Sequence, residues 1–328
     1  MRNDLLPEVR RSAAPALLDA DLAAAAAYAE RALADSTWRA YRSDLRTFSA
    51  WCKERGVIAS VPIEAALVAA FLASEAERGR RPVTIERRAA AIAFLHRSRD
   101  ATNPCDSAAV STVVSGIRRE HGTAPLRQVL ALEVDMLESL IAAIVPTTLQ
   151  GKRDRAIVLL GFGAAMRRSE LVALDVRDLK FTAKGLLVTV RSSKTDQVKK
   201  GATIAVPYAK ARPALCAVRA VTAWLRAGEI RDGAVFRRMR RGDTVSGDRL
   251  TAQSVALVVK RAAEAAEVDP TVVAEMAGHS LRAGYITTAA GAGVEEWKIA
   301  NVSRHRNLPV LREYIRKAQA FENVGEVL

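Results

Sequence analysis

Apolar residues recur three and four positions apart along most of this chain, which makes amphipathic helix the dominant expectation. An Ala-rich helical stretch over 12–34 leads to Asp35-Ser36, a helix N-cap signal that opens TWRAYRSDLRTFSAWCKERG, and Gly56 closes that helix. Within it Tyr41, Leu45, Phe48 and Cys52 line an apolar stripe, while Arg39, Arg42, Arg46 and Lys53 line a neighbouring face. The segment 81–99 repeats the design: Ile85, Ala89, Ile92 and Leu95 lie on one side, and Arg81, Arg87, Arg88, Arg97 and Arg99 stand against the single acid Glu86. Another helix over 107–120 ends at His121-Gly122-Thr123-Ala124-Pro125, a polar, turn-forming stretch that reads as an interdomain linker. The boundary near 121–127 divides the chain into 1–122 and 123–328. Beyond it the pattern predicts helices over 131–144, 152–174, 213–227, 251–266, 280–291, 294–301 and 308–320. Two short strands, 186–190 and 203–207, flank a polar hairpin.

A length of 328 residues suits two domains, and with 50% hydrophobic and 26% charged residues the chain is neither disordered nor collagen-like. Lys and Arg number 50 against 36 Asp and Glu, a formal net charge of +14, so the molecule attracts polyanions. Nucleic acid is the first candidate partner, although a solvated basic surface explains the charge alone equally well. Cys52, Cys105 and Cys216 form no CxxC pair, which points to reduced thiols and a cytoplasmic setting. The apolar runs at 141–145 and 157–166 fall well short of a membrane span, and Asp4 and Glu8 precede any apolar stretch. Neither a membrane span nor an export signal is therefore expected.

His96, His121, His279 and His305 are scattered, with no HExxH or Cys/His cluster, so no metal site is expected. A GxxxxGK[ST] loop is missing and Gly161-Phe162-Gly163 is an incomplete dinucleotide fingerprint, so no cofactor is expected either. A set of basic residues remains. Arg167 and Glu170 are three apart on the predicted helix, where the carboxylate can hold the guanidinium in one rotamer. His279-Ser280-Leu281-Arg282 opens a helix just after a glycine, a place suited to an anion. Lys194 sits at the tip of the predicted hairpin. Singly, these read as an ordinary helix ion pair, a capped helix start and a solvated lysine.

Taken in order, they resemble the signature of the tyrosine recombinase and phage integrase family: Arg167 with Glu170, Lys194 in a strand-turn-strand, His279-x-x-Arg282, His305, and Tyr314 in Leu311-Arg312-Glu313-Tyr314-Ile315-Arg316. In the amino-terminal half, Thr37-Trp38, Ala50-Trp51-Cys52-Lys53, Val83-Thr84-Ile85, Leu95-His96-Arg97 and Asp106-Ser107-Ala108-Ala109-Val110-Ser111 are similar to the core-binding domain of the Cre-like branch. Two departures stand out. Histidine at 305 follows the wider family rather than the tryptophan of that branch, and the chain runs only to Leu328 after Tyr314, a short tail for docking on a neighbouring protomer.

The resemblance implies a mainly α, two-domain clamp with a helical SAM-like core-binding domain and a mixed catalytic domain holding a small antiparallel sheet. It implies a site-specific recombinase that acts as a homo-tetramer on two DNA sites, each with inverted half-sites. Arg167 and Arg282 would clamp the non-bridging phosphate oxygens with paired donors, and His305 would add another. Tyr314 would attack, His279 would take its proton, and Lys194 would protonate the leaving 5′-hydroxyl. Glu170 is a support for Arg167. The 3′-phosphotyrosyl bond conserves the bond energy, so neither ATP nor metal is required. The faces carrying Arg39, Arg42, Arg46 and Lys53, and Arg81, Arg87 and Arg88, together with the loop-like cluster Arg237, Arg238, Arg240 and Arg241, are expected to contact DNA. Two rivals remain: a relaxing topoisomerase of the IB kind, and a sequence-specific DNA-binding regulator or architectural protein whose site is catalytically silent.

Overall fold

The computed structural model describes residues 16–122, 130–191, 201–305 and 308–318. The chain divides into two compact units, Met1–Leu126 and Arg127–Leu328. Among the described residues no helix is long and apolar enough to cross a membrane.

The first unit contains α1 (Ala16–Arg31), α2 (Asp35–Glu54), α3 (Ala65–Glu77), α4 (Pro82–Arg97) and α5 (Ala108–His121). Its core joins Phe48, Trp51 and Cys52 of α2 to Phe71 and Leu72 of α3, Ile85 and Ile92 of α4, and Val110 and Ile117 of α5. Asp35 is not the cap of α2. Ala34 occupies that position without a side-chain bond, and Asp35 puts a carboxylate in the first turn, where it favours the helix dipole. The sequence pattern did not predict α3 because AALVAAFLASEAE is apolar on nearly every side and shows no one-sided stripe. In α5 the Ser107 hydroxyl accepts the Val110 N–H, and Gly122, at φ +67°, ends the helix as its left-handed backbone requires.

One predicted DNA contact is corrected here. Arg88 is only 8% exposed and ion-pairs with the buried Glu75, with Asp44 Oδ1 at 3.7 Å. Arg87 is partly spent in the same way, its fork donating to both Asp44 oxygens at 2.8 and 2.9 Å. The α4 face that carries them also packs against α2 and α3, and buried carboxylates there need guanidinium partners.

The second unit runs through α6 (Val134–Ala143), α7 (Leu149–Gly163), α8 (Arg168–Ala173), β1 (Leu179–Thr182), β2 (Gly185–Val190), β3 (Ala202–Pro207) and α9 (Ala217–Ala227). It continues through β4 (Arg237–Arg240), β5 (Thr244–Arg249), α10 (Ala252–Ala265), α11 (Pro270–Glu275), α12 (Ser280–Gly291), α13 (Glu296–Ser303) and α14 (Leu308–Ala318). The sheet β1-β2-β3 is antiparallel, with Val188 opposite Leu179 on one side and Ile204 on the other. Leu186, Val188 and Val190 point into the core while Thr189 faces out, as strand alternation requires. The hairpin tip with Lys194 lies outside the described residues.

Two expectations for this unit are overturned. The single helix over 152–174 is two helices, α7 and α8, broken at Ala164-Ala165-Met166, where Ala165 has φ +45°. The supposed loop at 237–241 is mostly strand, since β4 pairs antiparallel with β5. Arg237 turns back on its own turn, donating to the carbonyls of Ala234 at 3.0 Å and Asp232 at 2.6 Å, which removes it from the expected DNA-facing cluster.

The main core of this unit packs α6, α7, α9 and α10 around Leu140, Ile157, Leu160, Trp224, Val258 and Leu281. A separate small cluster holds the chain end: Leu311 packs with Ile286, Ala289 and Ala290 of α12 and Ile299 of α13, and half-buried Tyr314 and Ile315 pack against it.

Candidate active site

The site lies within the second unit, where α8, α12, the end of α13 and α14 meet. Arg167 is not inside a helix, as the sequence suggested, but caps the start of α8. Its backbone N–H donates to Glu170 Oε2 at 2.9 Å and its Nη1 donates to Glu170 Oε1 at 2.7 Å, so one carboxylate sets both the turn and the rotamer. Glu170 is buried. Burial pushes its pKa up, but the charge of Arg304 and the bonds from Arg167 outweigh that and hold it below the usual range. It is therefore a fixed anion between guanidiniums.

α12 positions His279 and Arg282. Gly284 lets α12 lie directly on the backbone of Leu132, since a Cβ there would sit 1.9 Å from the Leu132 carbonyl oxygen. The Leu132 N–H donates to the Ser280 carbonyl at 3.2 Å across the same contact. Arg282 is fully buried; its Nη1 donates to the Ala165 carbonyl at 2.8 Å, and its Nη2 lies 3.3 Å from His305 Nε2. Burial, with the like charges of Arg167 and Arg304, pulls its pKa down to about 9, which still leaves it charged at neutral pH. His279, at the N-cap of α12, is shifted down by burial and by Arg282, Arg167 and Arg168, so it is held neutral.

His305 follows α13. Burial and the same guanidiniums depress its pKa to about 3. The Ser303 hydroxyl donates to the Ile299 carbonyl at 2.6 Å, so its oxygen is left to accept His305 Nδ1–H at 2.8 Å, which fixes the ring. Tyr314 on α14 is raised above the usual phenol value by burial, and Arg282 is near enough for its charge to oppose that rise. The structure thus gathers Arg167, Glu170, His279, Arg282, His305 and Tyr314 into one cationic cluster. Such a cluster suits a phosphate group that gains negative charge as it reacts.

Comparison with known proteins gives this geometry a lineage. Residues 131–320, more than half of the chain, match the model described as the phage integrase family, and residues 27–98 match its N-terminal SAM-like domain. The chain belongs to the phage integrase family of tyrosine recombinases. It is 34% identical over 303 residues to an integrase/recombinase XerD homolog of Selenomonas ruminantium, covering 90% of this chain and 85% of that protein. To the recombinase Cre of Escherichia phage P1 it is 27% identical over 303 residues, covering 87% and 85%. In fold it is similar to the XerH site-specific recombinase bound to a palindromic difH substrate, with a TM-score of 0.64 at 16% identity over 88% of this chain and 79% of that one. A lambda integrase dimer bound to a COC′ core site matches at a TM-score of 0.53 and 16% identity, covering 86% and 72%.

The protein is accordingly a site-specific tyrosine recombinase, an enzyme of DNA strand breakage and rejoining, rather than a silent regulator. Its predicted DNA-facing side chains fall into two sets. Arg39, Arg46, Lys53, Arg81, Arg87, Arg238, Arg240 and Arg241 are exposed, and Arg42, Arg46 and Lys53 line a cleft with Arg99 beside the apolar Leu45 and Phe48; Arg88 is turned inward, and half-buried Arg237 is held by the carbonyls of its own turn. Sequence reasoning missed two residues of this recombinase's site, Ser303 and Arg304. Nothing local distinguishes Arg304 from its basic neighbour Arg306, and Ser303 reads as one more small residue near a helix end.

Proposed function

We propose that Tyr314 is the nucleophile of this recombinase. Its Oη attacks the scissile phosphorus, the P–O5′ bond breaks, and a 3′-phosphotyrosyl link forms. The phenol proton passes to His279, which is neutral at physiological pH and so able to accept it. Lys194 supplies the proton that the departing 5′-oxygen needs. Arg167 and Arg282 hold the non-bridging oxygens, and Glu170 keeps Arg167 aimed. The phosphate's negative charge offsets the guanidiniums that hold His305 neutral, which lets its ring take a proton and donate another bond. Because the phosphotyrosyl bond preserves the energy of the broken one, the 5′-hydroxyl of a partner strand reverses the step without ATP or metal.

The substrate is double-stranded DNA, bound through the exposed basic residues of both units. Two inverted half-sites make up each site, and four protomers assemble on two sites in the cytoplasmic nucleoid. The observation that carries the reading is the convergence of Arg167, His279, Arg282 and His305 beside a half-buried tyrosine on a separate helix. A binder gains nothing from burying a neutral histidine and a charged arginine there.

The test uses a pool of end-labelled 40-bp duplexes with randomised centres and single nicks, in EDTA. The wild type yields a denaturation-resistant protein–DNA adduct, and Tyr314→Phe yields none. Tight binding with no adduct on any sequence refutes the assignment and restores the regulator.

A further inference from the structure

Arg304 stands between Ser303 and His305 with φ +56° and ψ +41°, the left-handed conformation in which a helix most often places glycine. A side chain is tolerated there only when surrounding interactions hold it. Here they do. The Arg304 side chain is 9% exposed, its Nη1 donates to the carbonyls of Val302 at 2.7 Å and Ala164 at 3.2 Å, and its Nη2 donates to Ala165 O at 3.2 Å and Glu170 Oε2 at 2.6 Å.

Those acceptors are not incidental. Ala164 and Ala165 follow the last residue of α7, where carbonyls have no helical partners. Ala165 O also takes Arg282 Nη1, and Glu170 also takes both the backbone and the guanidinium of Arg167. One guanidinium therefore joins the turn that presents Arg167, the carbonyl that orients Arg282, and the Val302 carbonyl near the end of α13, the helix that His305 follows. Ala165 and Glu170 lie more than a hundred residues before Arg304 in the chain, and its guanidinium bonds to both.

We propose that Arg304 is a positioning residue of the recombinase, a buckle that holds Arg167 and Arg282 in register with His305 through Glu170 and the Ala164–Ala165 carbonyls. The inference rests on the catalytic reading above and adds a residue to it. Arg304 reaches substrate only through these partners. Its charge also matters, because it lies beside Glu170 and opposes that carboxylate's protonation.

The substitution Arg304→Gly separates the two roles of this position. Glycine suits the left-handed backbone, which offsets part of the lost side-chain bonding, so a merely structural role predicts a lower melting temperature with an unchanged adduct rate well below it. The buckle predicts, at such a temperature, a single-turnover adduct rate on the pool of nicked duplexes that is 30- to 100-fold lower, with DNA affinity within twofold. Arg304→Lys, which keeps the charge but not the fork, falls between the two. In a Glu170→Gln background the loss from Arg304→Gly shrinks to less than tenfold, because the contact the two residues share is already weakened and only the Ala164–Ala165 carbonyl bonds remain to be lost. A rate within threefold of wild type for Arg304→Gly, or an undiminished loss in the Glu170→Gln background, overturns the buckle alone. Absence of any Tyr314-dependent adduct in the wild type overturns the catalytic reading and the buckle with it.

Discussion

Gly284→Ala tests how tightly α12 is seated. The new Cβ would meet the Leu132 carbonyl oxygen at 1.9 Å, its carbon at 2.5 Å and its nitrogen at 2.9 Å. These are backbone atoms of a fully buried residue, so no side chain can swing away. Relief requires α12 to withdraw by about 1 Å, and overpacking of this kind costs roughly 3 kcal/mol when the neighbours cannot yield. The same movement stretches the Leu132 N–H to Ser280 bond and carries His279 and Arg282 off their positions. A misplacement of about 1 Å lowers a positioned reaction by about 10²-fold. Two measurements check this: a melting curve, with a drop of about 6–12 °C expected for a unit of this size, and the single-turnover adduct rate. Gly291→Ala is the control in the same helix. Nothing lies within 4 Å of that position, so it gains about 0.5–1 kcal/mol from chain entropy alone. A Gly284→Ala protein that melts within 2 °C of wild type and forms adduct at the normal rate refutes the reasoning.

Removing Arg88 leaves buried Glu75 with only the longer contacts to Arg78 at 3.5 Å and Arg80 at 4.0 Å, so Arg88→Ala costs about 3 kcal/mol of stability in a denaturant titration; a loss under 1 kcal/mol contradicts the ion cluster. His305 titrates near 3 in the folded protein against an ordinary value of 6.5, so its contribution is full above pH 6.5 and drains away as pH falls from there toward 3. Between pH 6.5 and 5 it accounts for about 1 kcal/mol of lost stability after allowing for solvent screening, and His305→Gln flattens the measured slope by that amount. His279, also shifted down, adds a decline of the same sign. Replacing Arg238, Arg240 and Arg241 together by Ala weakens DNA binding on all sequences alike and lowers the slope of log K against log salt by about 3; an unchanged slope removes the β4 edge from the DNA interface.

Among the helices legible in the sequence, α2 shows one buried side most plainly. In α2, Phe48 and Cys52 point into the core at a helical spacing, and Arg39, Arg46 and Lys53 do not. The candidate site residues were legible only as an ordered set, through their resemblance to the family signature, since singly they read as an ordinary ion pair, a capped helix start and a solvated lysine. The break between α7 and α8 was not legible. Ala164, Ala165 and Met166 are strong helix formers, and local propensity favours a helix running through them. What holds the break is tertiary: the Ala165 carbonyl, just beyond the end of α7, is taken by Arg282 and Arg304, residues 117 and 139 positions further along the chain.

The same division runs through the arginines. Their number and charge, read along the chain, set the affinity for a polyanion, because net charge needs no contacts to act at a distance. Whether a particular guanidinium faces DNA, as exposed Arg238 can, or is turned inward to neutralise a buried acid, as Arg88 does at Glu75 and Arg304 at Glu170, was decided only when helices from distant parts of the chain packed. A buried carboxylate must find a positive partner wherever the fold brings one near, and sequence spacing carries no record of that meeting.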